Sequence, residues 1–274
     1  MSIIDTWEHY FLDNNEGLGT TYERFVLHRY FELIKNTYAV DSVLEVPAFG
    51  MTGISGINSM WWAKKGVDVT IVDESEKRIG MTQAVWQRTG VNAEFVLQNK
   101  GYSPLPFQTD SFDMSWNFAS LWFVRELEDF LTELTRVTKN IIFICIPNNC
   151  NMLSVVASDT RKHTNVFPQN TVPSTLKKIM EKTGWSCRNQ GFLDVPPWPD
   201  IAMKKEDLLR KIGLKGLAKK LESNADSSIC ILDYYSGNKK EMEKNILKYA
   251  YLEGLPDIFK RFWAHHRYFC FVPR

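Results

Sequence analysis

Two short runs constrain this chain more than anything else in it. Val43-Leu44-Glu45-Val46-Pro47-Ala48-Phe49-Gly50-Met51-Thr52-Gly53 passes from an apolar stretch into a glycine-bearing turn, and Val69-Thr70-Ile71-Val72-Asp73 is a second apolar stretch ending on a carboxylate. Short apolar runs bounded by turn residues read as strands buried on both faces, the hallmark of parallel sheets covered by helices. In such a doubly wound sheet the first strand's turn lets backbone approach a ligand, and an acid at the tip of the second accepts ribose hydroxyls. The turn is not G-x-G-x-x-G: Pro47 stands where the first glycine would, with Gly50, Gly53 and Gly56 spaced more loosely. Glu45, in the strand before the turn, repels pyrophosphate and suits a ligand bearing an ammonium group.

These residues give the chain a resemblance to the class I S-adenosylmethionine-dependent methyltransferases, of the type 11-like group. Further matches follow in that family's order. Phe95-Val96-Leu97-Gln98-Asn99 resembles the strand whose tip contacts adenine, and Leu105-Pro106-Phe107-Gln108-Thr109-Asp110-Ser111-Phe112-Asp113-Met114 is similar to the L-P-F-x-x-x-S-F-D segment entering the fourth strand. The resemblance covers roughly residues 20 to 147. It implies a Rossmann-like α/β fold, doubly wound, with a mostly parallel seven-stranded sheet and an antiparallel last strand. It also implies S-adenosylmethionine as cofactor, with Asp73 on the ribose, Asn99 near adenine, and Glu45, Pro47, Gly50, Thr52 and Gly53 facing the methionine end. Glu74, Asn117, Tyr22 and Arg24 complete the implied cofactor set, the last two toward the cofactor's carboxylate. Asp73 also makes sense as a cap for the helix that starts near Glu76, and the two roles are compatible. Arg24 equally suits an ion pair on its own helix.

Strands are expected near 42–46, 68–72, 93–97, 112–116 and 140–146, alternating with helices, among them Thr20 to Lys35 and Val124 to Thr138. Beyond Pro147 the alternation becomes irregular, with Ser186 to Val195 as a sixth strand and Arg267 to Val272 as the last. Helices are expected near 203–221, 239–253 and 256–264, the last with Pro256 in its first turn; Ser228 to Tyr235 reads as strand or helix. This organisation predicts an N-terminal helical segment (1–40), a cofactor-binding domain (41–195 with 267–274), and a helical cap or lid (196–266).

The 274 residues, 44% apolar, suffice for a sizeable core, and a formal charge of +1 supplies no global field toward nucleic acid or an anionic membrane. The start of the chain lacks a basic segment followed by an apolar one, and no apolar run approaches the roughly 18 residues of a spanning helix. Five cysteines without a C-x-x-C pair argue against a disulfide framework or a zinc ribbon, and fit a reducing cytosol. The partner expected is a small molecule, with the chain a monomer or homodimer.

Methyl transfer from a sulfonium is an in-line displacement, so alignment and exclusion of water matter most and a general base is optional. His265 and His266 are the candidate catalytic residues, since imidazole titrates near neutral pH; equally, one caps the preceding helix while the other is solvated. Trp122 and Trp198 are the candidate substrate contacts among many aromatics that suit a core. His163 and His28 carry less weight. Adjacent histidines point in different directions and no H-x-x-x-H spacing occurs, so no metal is expected. Two other readings stand beside the methyltransferase: a regulatory or scaffold protein that binds S-adenosylmethionine or S-adenosylhomocysteine without catalysis, and a nicotinamide-dependent oxidoreductase, disfavoured by Pro47.

Overall fold

The computed structural model describes residues 7–8, 16–50, 54–151, 166–197 and 229–274. Its centre is a seven-stranded sheet in the order β3-β2-β1-β4-β5-β7-β6. The strands are β1 (Ser42–Glu45), β2 (Asp68–Asp73), β3 (Glu94–Leu97), β4 (Phe112–Phe118), β5 (Thr138–Pro147), β6 (Trp185–Leu193) and β7 (His266–Pro273). β1 to β5 pair in parallel, while β7 runs antiparallel between β5 and β6, as the sequence led us to expect. The order reverses at β1, which lies between β2 and β4. At such a switch point the connections leave to opposite faces and open a crevice beyond the strand ends.

Helices α1 (Gly17–Thr37), α2 (Met60–Lys64), α3 (Glu76–Thr89), α4 (Leu127–Val137) and α5 (Pro173–Lys182) flank the sheet. In α4 the buried set Leu127, Phe130, Leu131, Leu134 and Val137 recurs at helical spacing, so one stripe meets the sheet and the rest meets water. Two apolar cores result. One joins α1, α2 and the aromatic cluster Phe31, Trp62, Trp116 and Phe143; the other lies under α4 and α5.

The L-P-F-x-x-x-S-F-D segment proves to be a structural clasp. Asp113 Oδ2 accepts from the backbone N–H groups of Asp41 and Ser42 and from the Ser42 hydroxyl at 3.0–3.1 Å, tying the start of β4 to the start of β1. Arg136 donates to the carbonyls of Leu105 and Phe107, and Glu133 accepts from the Leu105 N–H, locking the approach loop onto α4.

In the expected cap, residues 229–266 form short helices: α6 (Ile231–Tyr235), α7 (Met242–Leu247) and α8 (Asp257–Lys260). Of the segment that read as strand or helix, Ile231–Tyr235 is thus helical, and Pro256 precedes α8 as its N-cap rather than lying inside it. These pieces dock on α1 and β6: the Tyr235 hydroxyl lies 2.8 Å from His28 Nε2, and Lys260 Nζ donates to the Phe192 carbonyl at 2.9 Å. The helix expected at 203–221 lies outside the described residues, as do Thr52, Gly53, His163 and Trp198. None of the described helices is long and apolar enough to cross a membrane.

Candidate active site

β2 ends on Asp73, which is buried, and the chain turns at once into α3. Ser75 caps that helix by accepting from the Arg78 N–H, while Asp73 Oδ1 accepts from the Ser75 N–H at 2.8 Å. One helical turn on, the Arg78 guanidinium folds back over the same carboxylate, with Nε 2.9 and 3.0 Å from its two oxygens and Nη2 2.7 Å from Oδ1. The Phe49 ring lies 4.1 Å beneath this guanidinium, and Phe49 packs on Phe123 at 4.8 Å. Beyond them opens a cleft of about 560 Å³, lined by Glu74, Arg78, Asn99, Tyr102, Phe123 and the start of α4, among others. That volume suits a small ligand. Tyr102 presents a buried hydroxyl to the cleft wall.

The tip of β1 is built differently. Glu45 is buried and accepts from the Ser59 hydroxyl at 2.5 Å, and Ser59 accepts in turn from Trp116 Nε1 at 3.1 Å. Burial pushes the Glu45 carboxyl up to about 8, with the Ser59 hydrogen bond and Arg24 opposing only in part. Glu45 therefore keeps its proton at neutral pH. Arg24 is fully buried: Nε donates to Glu16 at 2.6 Å and Nη1 to Asn58 at 2.8 Å, while Nη2 has no hydrogen-bond partner among the described residues. Asn117 donates to the Val46 carbonyl at 3.3 Å, and its buried Oδ1 has no hydrogen-bond partner among the described residues. Pro47 is buried beside it. At Gly50 a Cβ would stand 2.2 Å from the Phe118 carbonyl oxygen, so only glycine lets the turn lie this close to the β4 tip.

Residues 50–144 match the model of a methyltransferase domain. The matched segment and the sheet order together give the chain a resemblance to the class I S-adenosylmethionine-dependent methyltransferases. Among solved structures, the MccD protein is similar over 90% of this chain and 95% of its own, at 12% identity and a TM-score of 0.53. The YcgJ protein from Bacillus subtilis is similar over 90% and 99%, at 14% identity and a TM-score of 0.50. A SAM dependent methyltransferase from Aquifex aeolicus is similar over 60% and 83%, at 15% identity and a TM-score of 0.44. No curated protein matches the sequence.

Within this methyltransferase fold, the expected site residues divide into groups. Asp73, Glu74 and Asn99 lie at or beside the cleft; Glu45, Pro47, Gly50 and Asn117 form the floor between β1 and β4. Arg24 reaches toward that floor from α1. Tyr22 is buried elsewhere on α1 and donates to the Val195 carbonyl at 3.2 Å and to Glu253 at 3.1 Å. Trp122 is half-buried in the turn Leu121–Phe123 but does not line the cleft, whereas its neighbour Phe123 does. None of the described 229–266 residues lines it either.

His265 and His266 meet Asp194 at the junction of β6 and β7. His265 Nδ1 lies 2.7 Å from Asp194 Oδ2, and the buried His266 ring packs on Phe118 at the β4 tip, 4.4 Å between centroids. Burial raises the Asp194 carboxyl, but the two histidines outweigh it and bring the group down to about 2. Burial, with His265 adding to it, holds the His266 imidazole below its ordinary value against the opposing pull of Asp194. Arg78, Phe49 and Tyr102 went unremarked in the sequence. The four-residue spacing of Glu74 and Arg78 across the start of α3 was the available signal for the first.

Proposed function

We propose that this chain binds S-adenosylmethionine in the cleft beyond β1 to β3 and transfers its methyl group to a small-molecule acceptor. The observation that carries the reading is the acid at the tip of β2, set at a topological switch point beside a small-ligand cleft in a chain with a methyltransferase-domain sequence. The donor set fits such a ligand: an acidic ribose acceptor at Asp73, exposed Asn99 for adenine, rings of Phe49 and Phe123 for apolar contact, and the spare Nη2 of Arg24 for a carboxylate. The cofactor supplies an electrophilic methyl group on a sulfonium.

What the chain's own residues contribute is alignment and dryness. Arg78 holds both Asp73 oxygens, so ribose hydroxyls exchange with part of that guanidinium contact when the nucleoside enters. Glu45, protonated near pH 7, contributes a neutral hydrogen-bonding floor. An acceptor already carrying a lone pair, such as a thiolate or free amine, needs no base, whereas a hydroxyl benefits from one. Five free cysteines support a reducing compartment such as the cytosol.

Calorimetric titration with S-adenosylhomocysteine tests the reading. Wild-type protein is expected to bind it and to ignore NAD, and Asp73→Asn is expected to weaken binding roughly tenfold to hundredfold. Unchanged affinity in that variant sinks the assignment. A second reading, binding without transfer, is favoured by one observation, the complete occupation of Asp73 by Arg78. Tritium transfer from labelled cofactor to candidate acceptors separates the two.

A further inference from the structure

Asp194, directly after β6, and His266, the first residue of β7, meet Glu23 of α1 on the α1 side of the sheet. All three are buried, and one donor atom from each lies within 4.8 Å of the others. We propose that Glu23, Asp194 and His266 form a site for a first-row divalent transition-metal cation, held by one imidazole nitrogen and two carboxylates.

Three features of the geometry support this. His266 Nδ1 stands 3.5 Å from Glu23 Oε2 and 3.8 Å from Asp194 Oδ2, and among the described residues this buried nitrogen has no closer hydrogen-bond partner. Those separations are long for hydrogen bonds but near those of donors sharing one ion, since atoms about 2.1 Å from a common cation stand roughly 3–4 Å apart. Second, two of the three donors are buried carboxylates, oxygen ligands of the kind a divalent cation takes beside an imidazole. Third, Asp194 is held in place from outside the cluster. Its φ of 66° lies in the left-handed region, its carbonyl accepts from the His265 N–H at 3.0 Å, and its carboxylate meets His265 Nδ1 at 2.7 Å. An outer imidazole gripping a ligating carboxylate is the usual support for a metal ligand.

One nitrogen with two carboxylates, and no thiolate, suits Zn²⁺, Mn²⁺ or Fe²⁺ better than Mg²⁺ or Ca²⁺, which favour oxygen alone. Such an ion staples α1 to the β6–β7 junction. The site does not depend on the methyl-transfer reading, because no residue of the cleft belongs to it.

Metal analysis of the purified full chain after dialysis against Zn²⁺ or Mn²⁺, with calorimetric titration of each ion and of Mg²⁺, tests the proposal. About one equivalent of Zn²⁺ or Mn²⁺ is expected per chain, bound more tightly than Mg²⁺. Glu23→Gln and His266→Ala should each lose at least about tenfold in affinity, and His265→Ala, which removes only the outer support, roughly tenfold to hundredfold. Should His266→Ala fail to fold, Co²⁺ titration of the wild type decides the matter through the visible absorption of a low-symmetry nitrogen and oxygen site. Wild-type protein that retains no ion and gives neither heat nor a Co²⁺ spectrum overturns the proposal, as does equal affinity in Glu23→Gln.

Discussion

Glu45 and Asp73 end neighbouring parallel strands, share nearly complete burial, and are treated in opposite ways by their surroundings. Glu45 meets a hydroxyl, that of Ser59, so burial is accommodated by retaining a proton. Asp73 meets the Arg78 guanidinium and a helix N-terminus, so burial is accommodated by an ion pair. Equal position in the fold therefore does not mean equal chemistry. The partner contributed by the next helix decides which acid carries charge into the crevice.

The largest expected effect breaks the Asp73 side of this contrast. Arg78→Ala leaves a buried carboxylate with its cation removed and should cost about 3–5 kcal/mol in urea denaturation. A loss below about 1 kcal/mol would mean that water already reaches Asp73.

The Glu45 side is tested by pH. A carboxyl raised from 4.5 to about 8 in the fold binds a proton that the unfolded chain releases, so native stability falls as pH rises from about 4.5 and levels off above about 8. Glu45→Gln keeps the shape and removes the titration. Its stability should exceed that of the wild type at pH 8 by a few kcal/mol, on the order of 1.4 for each pH unit crossed, with the advantage shrinking toward pH 5. Parallel pH profiles for the two proteins, by thermal or urea unfolding, would remove Glu45 from the argument. Glu253, also raised by burial, to about 7, leaves its slope in both.

Smaller effects sharpen the same contrast. Gly50→Ala forces the turn after β1 away from the Phe118 carbonyl and should cost about 1–3 kcal/mol, with weakened S-adenosylhomocysteine binding in the same calorimetric assay. Ser75→Ala removes the cap of α3 and should cost about 1 kcal/mol; a larger loss would show that the cap also holds Arg78 on Asp73.

The alternation of apolar runs with amphipathic stretches was legible because it follows from local periodicity. It located α1, α4 and the five parallel strands, while the antiparallel end was implied by the family resemblance. Asp73 was legible for the same reason, as an acid closing an apolar run. Arg78 was not, because a guanidinium one turn into a helix reads as a surface residue until the helix is seen folding back over the strand tip. Nor did sequence distinguish Trp122 from Phe123, since a one-turn helix gives too little periodicity to show which ring faces the cleft.

By itself, then, the order of residues determined the layered α/β architecture, the position of an acid at each of two strand tips, and the kinship of the segment 50–144. Tertiary structure alone decided which acid holds a proton, which side chains line the cleft, and that Glu23 meets Asp194 and His266. Periodicity is a property of neighbours in the chain, whereas the charge state of a buried group depends on dielectric and on partners brought from distant elements.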